Sequence, residues 1–373
     1  MKRTLDFLIG SPLIFLFSFF KKSPIKKNNF KKILIIKLAA VGDAILLAPA
    51  IKTLKEKFPE AEIDWLISPS NSQIVKAITP VHHVIVVKVN HLLNILKTIF
   101  DLRSKGYDLV IDFEQWSRGS VLMAYFSGIP ERIGFNTQGQ HRSGLFTDSI
   151  PKRFDQHEIE NFMDLVRIKA PHALTPSLEL HEDLFSKNLL EEVVLDLKSN
   201  KKNKLNILIH PGCGFDGTPR EWPLENYAVF INWVHKNKSA QFFLTSGPEE
   251  IIKVKKLMKL IQYKAVDLGG KLGWLQMLSL VKKMDLVISG NTGVMHLAAA
   301  LQIPQIALHG PTNPVIWGPK NSRSKTLVSS CPACPCLKLG FEYHALDQSC
   351  MKQLSIEDVK ASFAELIDNN VSI

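Results

Sequence analysis

The sequence predicts an α/β protein of two doubly wound parallel-sheet domains, and three observations predict it. Short β-branched runs alternate with helical stretches; the rhythm restarts after a charged segment near residue 200; and small polar residues follow several of the runs. Near-continuous apolar strands separated by helices indicate a parallel sheet covered on both faces. A chain of 373 residues is long for a single core, so two domains are expected. With 46% hydrophobic and 22% charged residues, the composition is that of a globular protein.

Residues 1–31 come first, as an apolar and basic segment outside both domains. Fourteen mostly apolar residues, 7–20, lie between Lys2-Arg3 and lysines 21, 22, 26, 27, 31 and 32. A helical span needs roughly 20 apolar residues, and Pro12 weakens this helix further. The segment reads as a membrane-association element, with apolar side chains in the lipid boundary and lysines on anionic headgroups. A span or signal, and a helix packed on the protein itself, are the alternatives. Residues 1–37 hold nine Lys/Arg and one acid, so of the net +11 only +3 (37 against 34) belongs to the other 336 residues. A nucleic-acid partner is therefore not expected.

The N-terminal domain is expected over 32–185. "KILIIKL" (32–38) reads as a strand and "GDAILLAPAIKTLKEKFP" (42–59) as a helix stopped by Pro59. Further strands are "EIDWLIS" (62–68), "HVIVVKV" (83–89) and "YDLVIDF" (107–113). A charged, Lys/Asn-rich linker covers 186–204. The C-terminal domain, 205–373, begins with "NILIHPG" (206–212) and a helix over 224–236. Strands at "AQFFLTSGP" (240–248), "DLVISGNTG" (285–293) and "QIALHGP" (305–311) follow. Ligands of such sheets bind at the carboxyl ends of strands. Gly42-Asp43, Gly212-Cys213, Ser246-Gly247-Pro248-Glu249 and Asn291-Thr292-Gly293 fall there, and the two Rossmann-like domains are expected to face a cleft.

The first strand is not followed by G-x-G-x-x-G, and the chain has no Walker pattern, which disfavours a nicotinamide oxidoreductase or a nucleotide triphosphatase. Asp43 instead stands at a strand-to-helix junction, where it is either a general base for a bound hydroxyl or a helix cap. In "HPGCGFDGTPREWPLENY" (210–227), the glycine-rich turn and Arg220 suit a diphosphate, unless Arg220 is simply solvated. "ISGNTGVMHLAAALQIP" (288–304) joins a strand to a helix through small polar residues. Unpaired N–H groups at that helix start would receive an anion, with His296 one turn in as a donor. The alternatives are an Asn291 or Thr292 cap and a histidine on the helix's core face. Five cysteines occur, at 213, 331, 334, 336 and 350, which is no secreted disulfide framework and suits a reducing cytoplasm. The C-x2-C-x-C cluster and Cys350 suit a structural zinc, packed thiols or a disulfide.

These stretches resemble the lipopolysaccharide heptosyltransferases, glycosyltransferase family 9, with their two-domain GT-B architecture. The resemblance rests on "ILIIKLAAVGDAILLAPAIKTLKEKFPEAEIDWLIS", "ILIHPGCGFDGTPREWPLENY", "SGPEE", "DLGGKLGWLQMLSLVKKMDLVISGNTGVMHLAAALQIPQIALHGPTNP" and the late "CPACPC…CM". It implies inverting, metal-independent transfer of a sugar, typically from ADP-heptose, to a membrane glycolipid of the lipopolysaccharide inner core. No cofactor is required for catalysis. The enzyme would be cytoplasmic, attached peripherally to the inner face of the bacterial inner membrane. Asp43 matches the family's general base, and Gly212 and Cys213 its phosphate-side turn. Arg220 matches a donor-contacting basic residue and Glu249 an acid on the nucleoside ribose. Thr292, Gly293 and His296 match the phosphate-binding helix start. Asn291 departs from the family's usual Asp, keeping hydrogen-bonding ability and losing charge. Arg118, Arg132, His141 and Arg142 are candidates for an anionic acceptor. The rivals are a related transferase using another nucleotide sugar or acceptor, and a catalytically dead membrane-attached binding protein.

Overall fold

The computed structural model describes residues 3–20, 27, 29–78, 81–180, 204–214, 218–344 and 349–368. It divides into two compact units, Met1–His181 and Glu182–Ile373. The expected linker lies outside the described residues, apart from Lys204.

The first unit runs α1 (Arg3–Ser18), β1 (Lys32–Ile36), α2 (Val41–Leu46), α3 (Ala48–Lys57), β2 (Glu62–Ile67), α4 (Ser72–Ile78) and β3 (His83–Val86). It continues with α5 (Leu92–Ser104), β4 (Leu109–Asp112), α6 (Arg118–Phe126), β5 (Glu131–Asn136), β6 (Asp148–Pro151) and α7 (Glu158–Arg167). Its six parallel strands lie in the order β3-β2-β1-β4-β5-β6. Ile33, Leu34, Ile35 and Ile36 are fully buried, as a central strand covered on both faces requires. The order reverses between β1 and β4, so a crevice opens at their carboxyl ends. The single helix expected over 42–59 is two, broken at Leu47, because Pro49 takes a first-turn position of α3, where its missing N–H costs nothing.

The N-terminal helix departs from the sequence expectation of a segment apart from the domain. One face of α1 is docked on the first unit, with Ile14 buried against Val121, Leu145 and Phe146. Gly10 permits the approach, since a Cβ there would meet Arg118 Cβ at 2.5 Å. Asp6, 1% exposed, accepts hydrogen bonds from the Arg118 and Gly119 backbone N–H groups at 3.0 and 2.9 Å. It therefore serves the start of α6 from 112 residues away. The other face leaves Leu5, Leu8, Phe15 and Leu16 exposed, as are Phe19 and Phe20 in the turn that follows. Among the described residues no helix is long and apolar enough to cross a membrane. Of the flanking lysines, Lys27 pairs with Asp108 at 2.7 Å, and Lys21, Lys22 and Lys26 lie outside the described residues.

The second unit runs β7 (Leu205–His210), α8 (Leu224–Asn237), β8 (Ala240–Ser246), α9 (Ile251–Leu260), β9 (Val266–Gly269), α10 (Trp274–Val281) and β10 (Leu286–Gly290). Next come α11 (Gly293–Ala300), β11 (Gln305–His309), α12 (Pro314–Trp317), β12 (Ser324–Val328), the short β13 (Leu337–Lys338) and β14 (Glu342–Tyr343), and α13 (Ile356–Asp368). Its six-stranded sheet, order β12-β11-β10-β7-β8-β9, is again parallel and reverses between β7 and β10. Trp222, Tyr227, Phe230 and Phe242 anchor the core on one face of this sheet.

Candidate active site

The polar strand ends of the second unit converge at its β7/β10 reversal. Ser289 of β10 stands opposite His210 of β7. Gly290 must be glycine here, since a Cβ would come 2.9 Å from Cys213 Sγ and 3.3 Å from the Arg220 carbonyl oxygen. The turn after β7 and the short helical turn Thr218–Arg220 are thus held against the end of β10. Arg220 donates from Nη2 to the Cys213 carbonyl at 2.8 Å, while its buried Nε has no partner among the described residues. Thr292 is the N-cap of α11, yet its hydroxyl makes no cap bond. Thr292 Oγ1 and Ser289 Oγ are likewise buried and unpartnered among the described residues. Buried polar groups without partners are rare, and several at one strand end mark a place for a polar ligand. His296 is buried one turn further on, Gly293 opens the helix, and Asn291 is half-buried.

The turn after β7 is bonded to a side chain of its own unit. The Cys213 and Gly214 amides donate to Glu250 Oε1 at 3.1 and 3.2 Å, so a carboxylate already occupies part of the turn expected to hold phosphate. Gly212 makes room for it, because a Cβ there would lie 2.4 Å from the Glu250 oxygens. Glu249, the expected ribose partner, is exposed on the same turn. Glu250 went unrecognised because adjacent acids in "SGPEE" carry no signal telling the inward one from the outward one. Burial holds His210 down to about 4, so it is neutral at pH 7. Burial also pushes the Cys213 thiol up to about 12, which leaves it unreactive.

In the first unit, Lys37 follows directly on β1, and its ammonium is 2.8 Å from Asp43 Oδ2 and 3.6 Å from Glu114 Oε2. Burial pulls Lys37 toward neutrality, but Asp43, Glu114 and Glu158 outweigh it and hold its pKa above the usual lysine range. Asp43 does not cap a helix, since α2 begins at Val41 and places Asp43 in its first turn. Its side chain is 22% exposed, so its carboxylate is open to solvent, while Lys37 at 2% is not. Glu114 accepts from the Leu38 and Ala39 amides at 2.6 and 3.2 Å, tying the end of β4 to that of β1. Glu158, fully buried, is bonded to Lys152 and Gln115, and burial raises its pKa. Lys37 and Glu114 were missed because a charge inside or just after an apolar run reads as a strand end.

Three of the four acceptor candidates instead hold the fold. Arg118 pairs with Asp6 and lies over the Phe7 ring. Arg132 donates to the Leu145 and Ile129 carbonyls at 2.9 and 2.5 Å. Arg142 is completely buried, 2.8 Å from Asp112, and bonds the carbonyls of Glu114 and Ser117. Only His141 is exposed, at the rim of a groove of about 570 Å³ lined by Phe7, Leu8, Pro12, Phe15 and Gly144. Guanidinium groups read as anion sites when partners such as Asp6, 112 residues from Arg118, and Asp112, 30 residues from Arg142, are invisible in sequence. The cysteines gather elsewhere in the second unit: Cys331, Cys334 and Cys350 converge, with Cys336 buried in the same cluster.

Each unit is a parallel α/β sheet; the second carries a strand-end cradle of polar atoms unpartnered among the described residues, and the first a carboxylate held by a buried lysine. The family model of glycosyltransferase family 9 (heptosyltransferase) matches residues 95–344, and the chain belongs to that family. The lipopolysaccharide core heptosyltransferase OpsX of Haemophilus influenzae is 24% identical over 298 residues, covering 78% of this chain and 82% of its own. Lipopolysaccharide heptosyltransferase 1 of Campylobacter coli is 26% identical over 297 residues, covering 75% and 84%. The solved structure of Escherichia coli ADP-heptose lps heptosyltransferase II superposes with a TM-score of 0.71 at 22% identity, over 91% of this chain and all of that one. Escherichia coli heptosyltransferase WaaC with ADP-2-deoxy-2-fluoro heptose gives 0.65 at 20% identity, over 90% and 99%. Heptosyltransferases of this family need no cofactor.

Proposed function

We propose that this protein is an inverting heptosyltransferase that moves heptose from ADP-heptose to a lipopolysaccharide inner-core acceptor. The observation that carries the reading is the trio of buried atoms without partners among the described residues, Arg220 Nε, Ser289 Oγ and Thr292 Oγ1, gathered about the β7/β10 strand ends. They suit a diphosphate, and relatives of this fold have been solved with ADP and with an ADP-heptose analogue. The second unit binds the donor and the first unit the acceptor. Asp43 takes the proton of the acceptor hydroxyl as it attacks the anomeric carbon, and ADP departs from the opposite face. Arg220 and the N–H groups at the start of α11 stabilise the departing charge. Asn291 keeps the hydrogen-bonding role of the acid usual at this place.

Incubation with a panel of nucleotide sugars, with and without inner-core acceptors, tests this. Nucleotide release is expected only from ADP-heptose, and only with acceptor. Release from another sugar nucleotide would reassign the donor, and release from none would mark a binding protein.

The catalytic charge is assigned to a side chain and backbone amides, so transfer is metal-independent. Activity is expected to survive brief EDTA treatment. A loss restored specifically by magnesium would contradict the assignment.

The enzyme acts on the inner face of the bacterial inner membrane, where its glycolipid acceptor resides. The exposed apolar face of α1 and the basic residues flanking it in sequence support this reading. Replacing Phe15, Leu16 and Phe19 together by serine is expected to release the protein from anionic vesicles in co-sedimentation and leave its melting temperature unchanged. Unchanged sedimentation would remove α1 from the membrane contact.

A further inference from the structure

We propose that Cys331, Cys334, Cys336 and Cys350 form a structural zinc site in the second unit, closed to substrate and independent of the transfer chemistry. Three sulfurs already converge: those of Cys331, Cys334 and Cys350 all lie within 4.8 Å of one another. Cys331 Sγ and Cys350 Sγ are 3.6 Å apart. A zinc ion with four thiolates at about 2.3 Å sets neighbouring sulfurs about 3.8 Å apart, so the spacing is close to that of a filled tetrahedron. It is far longer than the sulfur–sulfur bond of about 2.05 Å in a disulfide. A disulfide would also engage only two of the converging sulfurs, whereas a tetrahedral ion uses all of them and a fourth.

The surrounding backbone brings these ligands together by its own bonding. Ser329 Oγ donates to the Cys350 carbonyl at 2.6 Å and accepts from the Cys331 amide at 3.1 Å, clamping two segments 19 residues apart. The Cys334 amide donates to the Cys331 carbonyl at 2.9 Å, closing the C-x2-C turn. The Cys336 amide is tied to the Pro311 carbonyl at 2.9 Å, and the His344 amide to the Cys336 carbonyl at 2.9 Å. Cys336 is 3% exposed inside the same cluster and supplies the fourth sulfur by turning its side chain toward the other three.

The packing supplies an independent reason. Between β12 and α13 the described residues form a pair of two-residue strands and one short helical turn, Cys350–Gln353, and the local apolar cluster consists of the four cysteines and Tyr343. Leu337, Leu339, Met351 and Leu354 are also buried in this stretch, but around the sulfurs themselves the cluster is thiols and one tyrosine, and small modules with so little apolar packing of their own are commonly held by a metal or cross-links. A site with four sulfur ligands leaves no open position, which makes the ion structural. Soft thiolates in a tetrahedron select zinc or iron–sulfur chemistry over magnesium.

The test is elemental analysis of the full-length protein purified without chelator and without added metal. About one zinc per chain is expected, and cobalt in place of zinc should give a thiolate-to-cobalt charge-transfer band. Cys334→Ser and Cys336→Ser should each lose zinc on dialysis against a chelator concentration that the unaltered protein withstands, while Cys213→Ser keeps it. Alkylation under denaturing conditions should modify all four cluster cysteines of the metal-stripped protein. Metal-free protein with four reactive thiols, an intact mass showing a disulfide, stoichiometric iron, or zinc indifferent to both substitutions would each overturn the proposal. The wild-type metal content and cobalt spectrum decide the matter even where a variant fails to fold. Activity enters none of these readouts, so the outcome is separate from that of the transferase reading.

Discussion

Asp43→Asn is expected to lower turnover by about 10²–10⁴-fold, the usual contribution of a positioned general base, with little change in donor affinity. The substitution keeps the side chain's shape and removes its capacity to take a proton. It also leaves Lys37 with one fewer anion, but Glu114 at 3.6 Å remains to balance the buried ammonium. The first unit should therefore stay folded, and an unchanged melting temperature separates a chemical defect from a structural one. Donor affinity is read by calorimetric titration with ADP, which the proposed function assigns to the second unit's cradle. Turnover like that of the unaltered enzyme would remove Asp43 from the mechanism.

Asp6→Ala is expected to destabilise the first unit by about 3 kcal/mol, the lower end for breaking a buried ion pair. Removing the carboxylate leaves the Arg118 guanidinium, 3% exposed, without its anion, and takes the acceptor from two amides at the start of α6. The figure lies at the lower end because Gln140 still accepts from Arg118 at 3.3 Å and Phe7 still lies beneath the guanidinium. For a unit of this size the melting temperature should fall on the order of 10 °C, measured by scanning calorimetry. The same docking means that removing residues 1–28 should weaken the first unit as well as detach it from vesicles. Transfer to a soluble acceptor would fall along with transfer to a membrane-bound one. A melting temperature matching the wild type for Asp6→Ala would show that α1 is an appendage after all.

The two α/β sheets were legible because their central strands are buried on both faces, and burial on both faces writes itself as unbroken apolar runs such as "KILII" and "LVISG". Edge and near-edge strands were harder. β5 carries Arg132 and Gly134, and β12 reads "SKTLV", because each relies on neighbours for its register. Of the candidate site, Asp43, Arg220 and Thr292 were legible, since strand-to-helix junctions announce themselves by small and polar residues after an apolar run.

What the sequence by itself determined is therefore local: the strands, the helix starts, the junction residues and the family pattern they compose. What only the tertiary structure decided is pairing across the chain. Asp6 and Arg118 are 112 residues apart, Lys37 and Glu114 are 77 positions apart by number (114 − 37), and Glu250 reaches back 37 residues to Cys213. A buried charge is stable only beside its counter-charge, so whether an arginine serves a ligand or the fold depends on what folding brings against it. The same reason turned Arg118, Arg132 and Arg142 from acceptor candidates into structural groups, and the N-terminal helix from a separate segment into one docked on the first unit.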